Sequence, residues 1–221
     1  MRKRIVVKSM FRRIIPPQLR TIINRYLRSH FVPYEACVKP LETWDQEYGS
    51  GRWDYLDTIG ELAHYSVVVG YCSFVKPEGA ILDVGCGTGV LMRQLSAAGY
   101  SNYLGLDLSR EAIAQAMRHK CEPARCEVAN AETFQPREKY DAIIFNEVLY
   151  YFQDPKSVVS RYARHLRSDG ILIVSMHRTS NTHKLWHLLD GFADVRDAVS
   201  VTHMNSALTW DIKVYDRFDK C

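Results

Sequence analysis

Between Ala80 and Leu91 the chain reads AILDVGCGTGVL, and no other stretch so narrows what it can fold into. Ile81, Leu82 and Val84 make a short apolar run of the kind buried on both faces of a central parallel strand. Gly85, Gly87 and Gly89 follow at alternate positions, and Val90, Leu91 and Leu95 begin a helical period. Strand, glycine turn and helix open a βαβ unit that lets a ligand approach its backbone. A Cβ would block that approach, and the turn can demand a positive φ.

Asp107 ends the next apolar run, SNYLGLD, 22 positions after Gly85. An acidic residue roughly 20 positions beyond the glycines is placed to grip ribose hydroxyls, so the spacing implies an adenosine-bearing cofactor. Two readings compete. A nicotinamide or flavin site carries G-x-G-x-x-G with its helix N-terminus on a pyrophosphate. Here the pattern is G-x-G-x-G with Asp83 inside the strand, and a carboxylate there repels a pyrophosphate but suits a ligand bearing ammonium and sulfonium charge.

The run LDVGCGTG (82–89) closely resembles the first motif of the class I S-adenosylmethionine-dependent methyltransferases, and the resemblance extends over about residues 44–216. It implies S-adenosyl-L-methionine as cofactor, held by Asp83, Gly85, Cys86, Gly87, Gly89, Asp107 and Leu108. Asn130, Ala131 and Glu132 after the third strand are expected beside the adenine, with either Asn130 or Glu132 meeting its amino group. Asn130 and Glu132 also read as helix-capping polar residues. The backbone near Asn146 is expected at the methionyl part, and Cys86 is read as a small packing residue. In many relatives an Arg-Tyr pair occupies the helix before the first strand; His64-Tyr65 departs from it, which puts a cation on the methionyl carboxylate in doubt.

The rest of the chain alternates strand and helix. Strands are expected at 80–84, 102–106, 125–129, 140–146 and 170–175. Helices are expected at 57–75, 88–98, 110–120 (capped by Ser109), 154–166 (closed by Asp169-Gly170) and 182–191, with 198–204 and 208–215 as a closing antiparallel pair. That order predicts an α/β fold, a doubly wound Rossmann-like sheet of about seven strands, mostly parallel with an antiparallel C-terminal strand, plus an N-terminal helical cap.

At 221 residues and 47% hydrophobic, the chain can bury one substantial core. Three regions are expected: a basic amphipathic extension (1–34), an aromatic-rich cap (35–76) and the methyltransferase domain (77–221). The extension holds nine of the 29 Lys and Arg residues and no acidic one, so the remainder, with 20 basic against 25 acidic residues, is acidic. Its apolar residues recur at helical spacing on both sides of Pro16-Pro17. Such a helix packs on its domain, meets an acidic partner or lies on an anionic membrane surface. No apolar run reaches the roughly 18–20 residues of a membrane span, and no signal-type core follows the basic start. Six cysteines (37, 72, 86, 121, 126 and 221) without a C-x-x-C pair support neither a zinc site nor a disulfide framework, so a cytoplasmic protein, at most peripheral to a membrane, is expected.

For the chemistry, Glu147, Tyr151 and His177 are the catalytic candidates, with Tyr150, Tyr48, Trp53 and His64 nearby. Methyl transfer is helped chiefly by proximity and alignment, and an oxygen nucleophile gains from a base near pH 7. The run EVLYYF (147–152) resembles that of the nodulation-factor N-methyltransferase group. It also loosely resembles a Glu-x-x-Glu-His metal segment, but Tyr150 and Tyr151 stand where Glu and His would be, and no metal is expected. His183 and His187 share a helix face without a third ligand. The segment EYGSGRWDYL (47–56) resembles the cap of small-molecule methyltransferases. The expected activity is therefore methylation at N or O of a small molecule, a sugar or secondary metabolite. A methyltransferase for RNA or a membrane-borne substrate and a non-catalytic binding module are the alternatives; nucleic acid is disfavoured because aromatics are sparse in the extension and no Asn-Pro-Pro-Tyr-type segment follows the fourth strand.

Overall fold

The computed structural model describes residues 34–119 and 122–218. The chain divides into two units, Met1–Tyr34 and Glu35–Cys221. The helical reading of the extension falls on residues before Tyr34 and lies outside the described residues, as does Lys120 at the end of its expected helix. The second unit opens with α1 (Leu41–Gly49), a 3-10 turn (Asp54–Asp57) and α2 (Ile59–Val75). Then follow β1 (Glu78–Val84), α3 (Val90–Ser96), β2 (Tyr100–Asp107), α4 (Arg110–Arg118), β3 (Ala124–Val128) and β4 (Tyr140–Asn146). A 3-10 turn at Leu149–Tyr151 leads into α5 (Pro155–Ala163), β5 (Leu166–His177), α6 (Ser180–Asp190), β6 (Ala193–Thr202) and β7 (Thr209–Phe218).

The seven strands order as β3-β2-β1-β4-β5-β7-β6. All pairings from β3 to β5 are parallel, and β7 runs antiparallel between β5 and β6. The chain leaves β1 toward β2 on one side and returns to β4 on the other, so β1 and β4 flank the switch point where open α/β sheets bind ligands. Their burial explains their sequences: β1 is buried from Gly79 to Val84, and β4 from Ala142 to Asn146. Ile81, Ile144, Ile173, Ile212 and Val214 pack under Tyr65, Val68 and Cys72 of α2 and Leu91, Met92 and Leu95 of α3. On β4, Phe145 meets Tyr162 of α5 edge-on at 5.5 Å.

Local capping follows the expected chemistry. Ser109 Oγ accepts from Ala112 N–H at 3.1 Å at the start of α4, and Asp154 accepts from Ser157 N–H at 3.0 Å before α5. Most boundaries shift from expectation by one to three residues, and two differences have a clear physical cause. First, α5 ends at Ala163, because His165 C=O accepts from Tyr140 N–H (2.8 Å) and Leu166 pairs with Tyr140, which starts β5 early. Asp169-Gly170, expected to close that helix, instead lies in the irregular step between the pairs Tyr140–Leu166 and Ala142–Ile171. Second, β6 starts at Ala193, five residues before the expected 198. This edge strand is exposed along most of its length, so it lacks the apolar signal that marks a covered strand.

The cap is tied to the ligand side of the sheet. Asp45 of α1 accepts from Ser109 Oγ (2.6 Å) and Glu111 N–H (3.3 Å), and Gln115 of α4 donates to Tyr48 C=O (3.2 Å). Among the described residues no helix is long and apolar enough to cross a membrane.

Candidate active site

Past the end of β1 the backbone is stitched to β2. Leu106 C=O accepts from the N–H groups of Gly85 (2.7 Å) and Cys86 (2.9 Å), and Gly87 N–H donates to Asp107 Oδ2 at 2.9 Å. Asp107 Oδ1 takes Ser109 N–H at 2.9 Å, so this carboxylate organises the turn at the ends of two strands while lining the cavity. Burial raises its pKa to about 6 against the pull of those backbone donors.

Gly85 has φ +80°, and a Cβ there would lie 2.5 Å from Val148 Cγ2. A glycine is therefore required both by backbone conformation and by the close approach of the loop after β4. Gly85→Ala is expected to cost about 1–3 kcal/mol of stability through overpacking, read as a lowered midpoint in urea unfolding. An unchanged midpoint would show that Val148 yields.

Asp83 is the most deeply buried acid of the cavity wall. It is 1% exposed; its Oδ2 accepts from Tyr103 OH at 2.6 Å, and its Oδ1 has no partner. Burial raises its pKa to about 7, opposed by the Tyr103 bond and reinforced by Asp107. A buried carboxylate oxygen left unsatisfied at a cavity wall is a place for a cationic donor. Asn146 at the end of β4 is similar: 9% exposed, with an unpartnered Oδ1.

These groups line a single cavity of about 420 Å³, within the usual range for small-ligand sites. Of the eleven residues expected at the cofactor, ten line it: Asp83, Gly85, Cys86, Gly87, Asp107, Leu108, Asn130, Ala131, Glu132 and Asn146. Gly89 does not. It caps α3 with φ +75°, and a Cβ there would press on Met92 and Ala116, so it packs closely against its own helix and α4. Cys86 fills the space above Gly105, where a Cβ would meet its Sγ at 2.8 Å. Asn130 Oδ1 accepts from Glu132 N–H (2.8 Å), and Glu132 Oε1 from Gln153 N–H (2.9 Å), so both side chains also brace their loops.

Glu147, Tyr151 and His177 line the same cavity. Glu147 is held in the left-handed region at φ 57°, uncommon for a side-chain-bearing residue and frequent at functional sites. Its Oε1 accepts from Ser175 Oγ (3.1 Å), and its Oε2 from Tyr150 OH (3.1 Å) and His177 N–H (2.9 Å). Burial nonetheless outweighs three donors and raises its pKa to about 7. Tyr150 is thus engaged with Glu147, while the His177 ring tilts against Trp210 at 5.9 Å.

The cap closes the other side. Trp44 stacks on Trp53 (5.9 Å) and meets Tyr151 edge-on (4.7 Å), and Lys39 Nζ sits 4.5 Å from the Trp44 ring centroid while bonded to Glu47 at 2.8 Å. Tyr48 and Trp53 line the cavity as their sequence context implies, but His64 does not. It lies in the core against Trp210 (4.8 Å) and Tyr65 (4.4 Å), and burial lowers its pKa to about 4, so it is neutral. Lys39, Glu61 and Trp210 also line the cavity, and sequence reasoning misses all three. The only available signal for Glu61 is an acid one turn before His64, which any solvated helix face also shows. His183 and His187 are exposed with their Nε2 atoms 3.2 Å apart, and no group of three metal-ligating side chains occurs among the described residues.

A glycine turn beside a buried acid with an unsatisfied oxygen, and a second acid at the end of the next strand, placed at a switch point, is the arrangement of an α/β domain that holds an adenosine-bearing, positively charged cofactor. The family model "Methyltransferase domain" matches residues 51–209. The ubiquinone biosynthesis O-methyltransferase of Nitrosomonas europaea is 35% identical over 155 residues, 67% of this chain and 58% of that one. That of Ralstonia nicotianae is 33% identical over 111 residues, 48% of this chain and 46% of that one. The chain spans about half the length of the relatives it matches. In fold it is similar to the N-methyltransferase NodS of Bradyrhizobium japonicum in complex with S-adenosylhomocysteine, at 16% identity and TM-score 0.68 over 80% of this chain and 97% of that one. It is also similar to the 1,6-didemethyltoxoflavin N1-methyltransferase of Burkholderia thailandensis, at 16% identity and TM-score 0.65 over 85% and 95%. The chain belongs to the class I S-adenosylmethionine-dependent methyltransferase family.

Proposed function

We propose that the protein moves a methyl group from S-adenosylmethionine to a small-molecule acceptor bound under the aromatic cap. The unpartnered Oδ1 of Asp83 carries this reading: it is a buried anionic acceptor beside a glycine turn, and it fits a ligand ammonium where a pyrophosphate would be repelled. In this reading Asp83 holds the amino group, Asp107 the ribose hydroxyls, Leu108 and the 130–132 turn the adenine, and the backbone at Asn146 the methionyl part. When bound, the cofactor supplies an electrophilic methyl. The chain aligns the acceptor, keeps water out with Trp44, Trp53 and Tyr151, and takes a proton at Glu147. Names of relatives cover both N- and O-methylation, so the site leaves both acceptor atoms open at this level.

Calorimetric titration with S-adenosylmethionine, S-adenosylhomocysteine and NAD tests the cofactor. Binding of the first two with silence for NAD is expected, and the reverse would remove this reading. Linkage gives a further expected result. With a pKa of about 7, Asp83 is about half protonated at pH 7, and an incoming ammonium favours its charged form. Cofactor binding at pH 7 should therefore release up to about half a proton, seen as a dependence of binding heat on buffer ionisation enthalpy. Proton uptake would contradict the contact.

The nine basic residues of the extension support a second contact, to an acidic partner or an anionic membrane surface. Such binding weakens with salt and is lost on deleting residues 1–30; salt-independent binding would exclude it.

A further inference from the structure

Charge around the cavity is lopsided. Glu61, Asp83, Asp107, Glu132 and Glu147 line it, and Lys39 is the sole Lys or Arg lining it among the described residues. Lys39 is already bonded to Glu47 and seated on Trp44. Asp83 and Asp107 serve the cofactor in the reading above, and Glu132 braces the Gln153 backbone. Glu61 and Glu147 are left on the acceptor side with no Lys or Arg partner, and the attraction of His203 offsets only part of the upward shift that burial gives Glu61. The nearest basic group to Glu61 is His64 Nδ1 at 3.5 Å; no hydrogen bond forms, and burial keeps that ring neutral. The negative charge of Glu61 adds to the upward shift of Glu147. Next to Glu147, the nine-tenths-buried Asn146 presents an Oδ1 with no donor.

Two carboxylates and an orphaned amide oxygen in a desolvated pocket call for hydrogen-bond donors and positive charge. An ammonium brings three donors and one charge. A hydroxyl brings one donor and no charge. A phenolate or carboxylate acceptor is repelled by both glutamates. We propose that the acceptor is an amine, bound as its ammonium by Glu61, Glu147 and Asn146 Oδ1, with Glu61 setting the preference for nitrogen over oxygen. The proposal rests on the methyltransferase reading.

The step balances with Glu147 as base. A proton passes from the ammonium to Glu147 Oε1, which holds one hydrogen bond from Ser175 and has a lone pair to spare. The freed nitrogen pair forms the new N–C bond as the methyl–sulfur bond breaks, and its electrons stay on sulfur as a thioether. The positive charge moves from sulfur to the methylated nitrogen, and Glu147 returns its proton to solvent.

The test uses the full chain saturated with S-adenosylhomocysteine and three probes of one skeleton: benzylamine, benzyl alcohol and benzoate. Benzylamine is expected to bind about tenfold or more tightly than benzyl alcohol, with benzoate weakest, as charge-assisted bonds require. Glu61→Gln should reduce that preference to about threefold or less while S-adenosylhomocysteine affinity stays unchanged; Glu147→Gln gives an independent check. Alcohol or benzoate binding as well as the amine overturns the proposal. So does silence of all three probes, or a preference unmoved in both variants. Failure of S-adenosylhomocysteine itself to bind sinks the methyltransferase reading and this proposal with it, whereas failure of the probes alone leaves that reading standing.

Discussion

Glu147→Gln is expected to slow methyl transfer by about 10²–10⁴-fold, the usual contribution of a general base, while cofactor affinity changes little. The glutamine keeps the shape but cannot take a proton. Burial raises the pKa of Glu147 to about 7, and the base works only when ionised. The wild-type rate should therefore rise with pH through an inflection near 7 and fall about tenfold per unit well below it. In the variant that acid limb should vanish. A structural role predicts something else: loss of the Ser175, Tyr150 and His177 bonds would lower the melting temperature with the pH profile intact. Rate against pH for both proteins, beside a thermal melt, separates the two.

Asp107→Ala is expected to weaken S-adenosylhomocysteine binding by about 1.5–3 kcal/mol, the range for charge-assisted hydrogen bonds, or roughly 10- to 150-fold. Two effects combine. The carboxylate is the candidate partner of the ribose hydroxyls, and its two oxygens also hold Gly87 N–H and Ser109 N–H. Asp107→Asn separates them, because an amide oxygen still accepts one backbone bond without the charge. An affinity within twofold of wild type for Asp107→Ala, by calorimetry on folded protein, would place the ribose elsewhere.

Much of this site is legible in the amino-acid sequence. The G-x-G-x-G turn, Asp83 within its strand and Asp107 22 positions on are local features whose meaning depends on backbone conformation and strand periodicity. Gly85 at φ +80° and the bonds from its loop to Leu106 and Asp107 realise that reading. Gly89 shows its limit: it belongs to the same run, yet it faces Met92 and Ala116, because which side of a turn meets ligand depends on where the neighbouring helices pack. His64 shows the same limit. As a polar residue on the cap helix it is a natural candidate for the pocket, but its helix rotates it against Trp210 from the far end of the chain.

What the sequence alone determined was the order of strands and helices, the glycine turn and the acids at its two strand ends, since each rests on neighbours within a few residues. Only the tertiary structure decided that β7 inserts between β5 and β6, that Glu61 and Lys39 reach the cavity from the cap, and that Glu147, half-buried in the cavity wall with three donors, is still shifted up to about 7. Burial and orientation are sums over contacts between segments up to a hundred or more positions apart, and no short window of sequence contains those sums.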